Sequence, residues 1–377
     1  MIGVITENNA LAAYCQQVAN SKLLAVDTEF IRQSTLFPKL GLIQLYDGNQ
    51  LALVDPLSIT DWQPLRQLFA NPQLIKLLHS CSEDIEALAT IGIMQITPLF
   101  DTQLAAELLG WGSSMGYARL VEQLSGEILD KSESRTDWLA RPLSQTQLQY
   151  AANDVHFLFP LYQHLTTQMT PMQQQLLLAE GLQLMQRREQ QLPLEFKYLD
   201  IKNSWQLTPR ELAVLRELAA WRQQYAMQRD LALGLIIKDI QLIELAKRRP
   251  ATAESLLNIP GMPPRELRRH AKALIELISA AKELPQTECP QRFYHPSQFA
   301  GYKETVTQLT QAIKQASVEH NIPAEFMSVK RQLNEYLNWC WRVTDQEREL
   351  LPRPEYLKGW RAEYLKPFLP VPAHITL

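Results

Sequence analysis

The hydrophobic period of this chain changes once, near residue 101. Before it, short apolar or alternating runs take turns with helical patterns; beyond Thr102, apolar residues recur almost entirely at three- and four-residue spacing. Leu23–Phe30 (LLAVDTEF), Leu40–Asp47 (LGLIQLYD), Gln50–Asp55 (QLALVD), Leu74–Leu78 and Pro98–Asp101 read as strands. Ala10–Ala19, Pro64–Phe69 and Glu83–Thr90 read as helices between them. The turn signal Asp47-Gly48-Asn49 predicts an antiparallel hairpin, so the sheet is expected to be mixed. Strands alternating with helices make the first part an α/β or α+β domain with covered sheet faces.

The rest is expected to be all-α and to form two further domains. Helical patterns cover Leu104–Leu109, Tyr117–Leu124, Gln145–Leu165 and Gln173–Gln190, and the period is lost over residues 191–207, which read as a linker. Thr208-Pro209 followed by Glu211 opens a new helical block, because Thr caps, Pro fits the first turn and Glu can reach back to the cap. That block runs to about Glu283, and Pro285–Pro296 reads as a second linker before a final helical block. The expected domains are residues 1–200, 208–288 and 295–377 of the 377. The two helical blocks show a weak repeat at an offset of 91, with Gln241-Leu242 falling on Gln332-Leu333.

Charge divides with the period. Residues 1–190 hold 11 Lys and Arg against 19 Asp and Glu, whereas residues 191–377 hold 26 against 21. The net −3 is therefore a sum of −8 and +5, which suggests two unlike jobs. No apolar run approaches the roughly 20 residues that span a bilayer. The opening MIGVITENN lacks the basic flank and apolar run of a signal peptide. Four dispersed cysteines suit a reducing cytosol and argue against a cysteine-built zinc site. A cytoplasmic protein with no membrane association and no obligate protein partner, a monomer, is the expectation.

The acids carry the chemistry. Asp27 and Glu29 stand two apart on the first long strand, so both carboxylates leave one face of an otherwise apolar segment. Adjacent like charges there are costly unless a cation neutralises them or the strand end reaches water. Asp84 opens the helix after Leu74–Leu78, and spacing alone does not separate it from Glu83 and Glu86 as a partner of the helix dipole. Tyr150 and Asp154 lie one turn apart on one helical face, where a plain structural hydrogen bond is the simpler reading of the pair. Four hard oxygen donors suit Mg²⁺ or Mn²⁺ rather than zinc.

The sequence Val26-Asp27-Thr28-Glu29-Phe30, then His79-Ser80-x-Ser82-Glu83-Asp84, then Tyr150-x-x-x-Asp154 resembles the three motifs of the DEDD exonuclease superfamily, in its tyrosine branch. Leu129-Asp130-Lys131-Ser132 and Trp138–Leu143 narrow the resemblance to the ribonuclease D family. The helical blocks resemble HRDC domains, the second more diverged. The resemblance implies a ribonuclease H-like exonuclease domain with a mixed sheet, followed by two HRDC-type domains. It implies an exoribonuclease that removes nucleotides one at a time from RNA 3′ ends, chiefly of tRNA precursors, using two divalent ions.

In that reading Asp27, Glu29 and Asp154 hold the ion on the side of the attacking water, Asp27 and Asp84 hold the ion beside the leaving oxygen, and Tyr150 orients or deprotonates the water, orientation being chemically easier for a phenol with a pKa of about 10. Thr28, Phe30 and His79 are candidate contacts to the terminal nucleotide. Lys131, Arg135 and Arg141, in a charged stretch anchored by Trp138, are candidate phosphate contacts. Lys247, Arg248 and Arg249, with Arg265, Arg268 and Arg269, form two basic clusters in a block with 13 basic and 9 acidic side chains between residues 208 and 284. Solvated helix surface and core packing are the alternative readings of these contacts. Two other functions remain open from sequence: a DNA exonuclease, and a nucleic-acid scaffold that has lost activity.

Overall fold

The computed structural model describes residues 3–130, 132–190, 192–261, 264–293, 298–299, 301–341 and 343–369, with the backbone alone at 189 and 264–267. The alternating first part forms a sheet of β1 (Val4–Ile5), β2 (Leu23–Ile31), β3 (Lys39–Tyr46), β4 (Leu51–Val54), β5 (Ile75–Leu78) and β6 (Leu99–Asp101), in spatial order β1-β4-β3-β2-β5-β6. β2, β3 and β4 pair antiparallel, while β1, β5 and β6 join their neighbours in parallel, so the sheet is mixed as the hairpin signal predicts. β1 has no counterpart in the sequence reading, since two residues are too few to show a period.

Side-chain alternation gives the sheet two different faces. Leu24, Val26, Ile43 and Leu45 point to the face covered by α1 (Asn8–Val18), α2 (Gln63–Ala70) and α3 (Ser82–Ala89). Ala25, Leu42, Leu53, Leu77 and Phe100 point to the other. That face is covered by α4 (Thr102–Leu108), α5 (Tyr117–Ser125), α6 (Gln145–His156) and α7 (Leu158–Gln168), and α8 (Pro171–Glu189) follows. Asp27 and Glu29 therefore lie on the α6 face and Thr28 on the α3 face. The expected single helix over Gln145–Leu165 is corrected to α6 and α7, broken at Phe157. Pro160 explains the break: it has no N–H for the His156 carbonyl, and its ring crowds that carbonyl.

Of the expected linker at 191–207, the described residues 192–207 are not free chain. Within them, 3₁₀ turns at Leu194–Asp200 and Ser204–Gln206 bury Phe196, Tyr198 and Ile201 in the apolar core. α9 (Pro209–Arg229) packs on the first of these turns and opens with the expected Thr208–Glu211 capping box. α10 (Leu233–Ile236), α11 (Asp239–Arg248), α12 (Ala253–Leu257) and α13 (Pro264–Glu283) complete the first helical block. α14 (Tyr302–His320), α15 (Ala324–Met327), α16 (Lys330–Trp341), α17 (Asp345–Leu350) and α18 (Gly359–Leu365) form the second. No helix among the described residues is long and apolar enough to cross a membrane.

The helical blocks grip the first domain at different places. Ala232 donates its backbone N–H to the Ser34 carbonyl, and the Asp230 carboxylate accepts from the Phe37 N–H, so the first block touches the loop that follows β2. On α8, Glu180 accepts from Arg361 and from the Trp360 indole, while Arg187 pairs with Glu355. Glu180, Glu355 and Arg361 are all buried, and Arg331 and Gln332 complete the shell around Glu355. Gly359, at φ +56°, lets α18 approach this interface: a Cβ there would meet Gln183 side-chain atoms.

Candidate active site

Three elements bring the acids together. β2 supplies Asp27 and Glu29, α6 crosses the same sheet face, and α6 supplies Asp154 and Tyr150. One carboxylate oxygen each of Asp27, Glu29 and Asp154 lies within 4.8 Å of the others. Asp84 enters from the first turn of α3 and accepts a 2.5 Å hydrogen bond from the Thr28 hydroxyl. Geometry thus separates the three α3 acids that spacing could not: Asp84 is buried, Glu83 is exposed, and Glu86 pairs with Arg32 and Arg188.

The loop that delivers Asp84 is held by Asp101. Its carboxylate accepts from the backbone N–H groups of Ser80 and Cys81 and, at the α4 N-terminus, from Gln103 and Leu104. Asp101 is therefore a cap and a loop tie.

Burial makes this cluster electrostatically unusual. Desolvation, reinforced by neighbouring carboxylates, pushes Asp27 well above its ordinary range and Glu29 up to about 9. Asp154 is pushed up to about 7 and Asp84 to about 6, again chiefly by burial. Burial and the charges of Asp154, Glu29 and Asp27 also raise the Tyr150 phenol, which hydrogen-bonds Asp154. The phenol of the protein alone is thus a proton donor and not a base at neutral pH. The donor set fits divalent cations: several hard oxygens face one another with too little positive charge to balance them, and the protein alone resolves the conflict by keeping protons.

A cavity of about 230 Å³ opens onto Asp27, Tyr150 and Asp154, and His79, Tyr117 and Leu158 form part of its wall. Leu129, Asp130 and Ser134 close another side. Tyr117, whose hydroxyl donates to the Asn153 carbonyl, is a wall residue that the sequence reading missed, and nothing in its spacing marks it. His79 Nδ1 lies 2.9 Å from the Thr102 hydroxyl, and burial lowers the pKa of the ring, which favours neutral imidazole.

Several expected substrate contacts have other partners. Thr28 is buried and bonded to Asp84. Phe30 packs against the α1–α3 side of the sheet, just past a register shift after Glu29. Arg141 is corrected from a phosphate contact to a clamp: it donates to Asp55 twice and to the carbonyls of Gly41, Trp138 and Ala140. That clamp holds the Trp138 loop against β3, where only Gly41 leaves room, since a Cβ would lie 2.5 Å from the Trp138 carbonyl oxygen. Arg135 is exposed on this loop, and Lys131 lies outside the described residues.

In the first helical block Lys247, Arg268 and Arg269 are exposed. Arg248 pairs with Glu244 and bonds the Asn258 carbonyl, and Arg249 caps α11 with φ +48°. The side chain of Arg265 lies outside the described residues.

Comparison with known proteins agrees with this architecture. Residues 2–170 match the family model of 3′–5′ exonucleases, residues 211–278 that of HRDC domains, and residues 300–369 that of the ribonuclease D C-terminal HRDC domain. The chain is 43% identical to ribonuclease D of Shewanella sp. over 94% of its length and 89% of the relative's. It is 40% identical to ribonuclease D of Escherichia coli, covering 96% of both chains. The crystal structure of Escherichia coli RNase D, described as an exoribonuclease involved in structured RNA processing, superposes with a TM-score of 0.89 at 38% identity, covering 98% of this chain and 97% of that one. The catalytic core of RRP6 from Trypanosoma brucei shares the fold, with a TM-score of 0.57 at 22% identity, over 74% of this chain and 79% of that one. An α/β exonuclease domain bearing this acid cluster, joined to two HRDC domains and similar throughout to ribonuclease D, places the chain in the ribonuclease D family of 3′–5′ exoribonucleases.

Proposed function

We propose that this enzyme trims the 3′ ends of tRNA precursors and other structured RNAs in the cytoplasm, as a monomer, releasing nucleoside 5′-monophosphates. The observation that carries the site is the meeting of the Asp27, Glu29 and Asp154 oxygens within 4.8 Å, with Asp84 beside them. Asp27, Glu29 and Asp154 would hold one divalent ion and Asp27 with Asp84 a second, Mg²⁺ or Mn²⁺. Such ions activate a water and stabilise the leaving 3′ oxygen. Around them the chain's own groups act by position. Tyr150, kept protonated, donates to Asp154 and orients the attacking water; Tyr117, His79 and Leu158 shape the space for the terminal nucleotide; and α6 shields the acids from bulk water.

The exposed Lys247, Arg268 and Arg269, with Arg135 beside the cavity, supply cationic surface for the phosphate backbone. Four buried free thiols suit a reducing compartment.

A 5′-labelled tRNA precursor and a DNA of equal length, each incubated with Mg²⁺, Mn²⁺ or EDTA, test the reading. A ladder shortened one nucleotide at a time, from RNA alone and lost in EDTA, is expected. Equal trimming of DNA would move the assignment to a general 3′ exonuclease, and internal cuts would overturn it.

A further inference from the structure

Gln44 stands out because it is wholly buried and both polar atoms of its side chain lack a hydrogen-bond partner among the described residues. It lies on β3, in register with Asp27 on β2. Residues directly opposite in an antiparallel pair project to one face with Cβ atoms about 5 Å apart, so the Gln44 and Asp27 side chains leave the same face of the sheet, with no hydrogen bond joining them. Its other surroundings are apolar: Leu42, Leu53, Leu148 and Ala151 form the small core that α6 closes over this face. A methionine would fill the same space without burying an amide, and a buried amide left unpaired is strongly unfavourable. The amide therefore needs a partner, and the opposing residue is a carboxylate.

We propose that Gln44 is a positioning residue for Asp27: as a cation draws the Asp27 carboxylate into its binding orientation, the Gln44 amide N–H turns to hold one carboxylate oxygen there. Carboxylates that hold metals are commonly fixed in this way by an outer hydrogen bond. The inference rests on the reading of Asp27 as a metal ligand given above. Trp138 Nε1, another orphaned polar atom in this small core, is the alternative partner: as a donor it can pair only with the Gln44 oxygen, and that bond alone would leave Asp27 unheld.

Gln44→Met, with Gln44→Leu as a second shape, separates the alternatives. Mn²⁺ binding is measured by titration calorimetry in the absence of RNA, and thermal melting is followed in EDTA. The expected result is a melting temperature equal to or above wild type in EDTA, with Mn²⁺ bound about ten- to a hundredfold more weakly. RNA trimming would then fall at low Mn²⁺ and recover as Mn²⁺ is raised. Unchanged Mn²⁺ affinity in a folded variant, whether or not melting shifts, would assign Gln44 to Trp138 or to packing and overturn the inference. Failure of both variants to fold would make the amide structural and overturn it as well. If wild type itself binds no Mn²⁺, the inference falls together with the reading of the site.

Discussion

At the scale of single residues, the acids are spent on function at the expense of local comfort. Asp27→Asn or Asp154→Asn removes one proposed ligand without disturbing the groove, so trimming is expected to be lost while RNA remains bound in a filter or anisotropy assay; turnover in either variant would remove that residue from the site. Tyr150→Phe keeps the ring against Trp138, 6.1 Å away between centroids, and removes only the hydroxyl. A fall in kcat of about a hundredfold with little change in KM is the expected signature of lost orientation.

The raised carboxyls also predict an inverted pH dependence. The metal-free folded chain keeps protons on Asp84, Asp154 and Glu29 up to about 6, 7 and 9. The unfolded chain releases them near pH ~4. Across that window the native state binds more protons, so these groups' contribution to stability is present at low pH and lost as pH rises through each folded value. Divalent ions would replace the protons. Scanning calorimetry with and without Mg²⁺ is therefore expected to show a metal-induced rise in Tm that grows from about pH 5 to about pH 9; a rise independent of pH would contradict the account.

At the scale of elements, the sequence was most legible where side chains repeat and least where distant residues meet. The acids on β2 stood out because two charges in LLAVDTEF break an apolar strand, and the hairpin stood out because Asp-Gly-Asn fixes a turn. Spacing alone did not separate Asp84 from Glu83 and Glu86, and only the motif resemblance singled it out; the structure adds that Asp84 is buried against Thr28 while Glu86 is engaged by Arg32 and Arg188. Arg141 looked like a phosphate contact because its partner Asp55 is far away in sequence. Arg141→Ala strips Asp55 of its ion pair and frees the Trp138 loop, and a loss of about 2 kcal/mol in urea unfolding is expected.

The repeat at offset 91 was faint in letters but plain in backbone. Asp230 and Asn321 both end a long helix in the left-handed region, α10 and α15 span matching positions, and Gln241 and Gln332 both accept from the backbone three residues earlier. Backbone geometry survives substitutions that erase identity, which is why only Gln-Leu remained to be read.

At the scale of the whole molecule, the net −3 conceals a division of labour. Two divalent ions would cancel about half of the −8 carried by the first 190 residues, leaving the +5 half as the general attraction for RNA. The helical domains are not loosely appended. Removing them would leave Glu180 on α8 without Arg361 and Trp360, so deletion confounds binding with stability. A point change is cleaner: Arg361→Met leaves Glu180 buried without its strongest partner, and destabilisation of about 3–5 kcal/mol is expected in equilibrium unfolding, with the acid cluster intact.

If Asp27, Glu29, Asp84 and Asp154 are metal ligands, a heavy divalent ion must be found among them. Anomalous diffraction from crystals soaked with Mn²⁺ and a nucleoside 5′-monophosphate tests it most directly. Two peaks are expected, one among Asp27, Glu29 and Asp154 and one between Asp27 and Asp84; crystals with the nucleotide seated and no peak at these carboxylates would rule the metal site out.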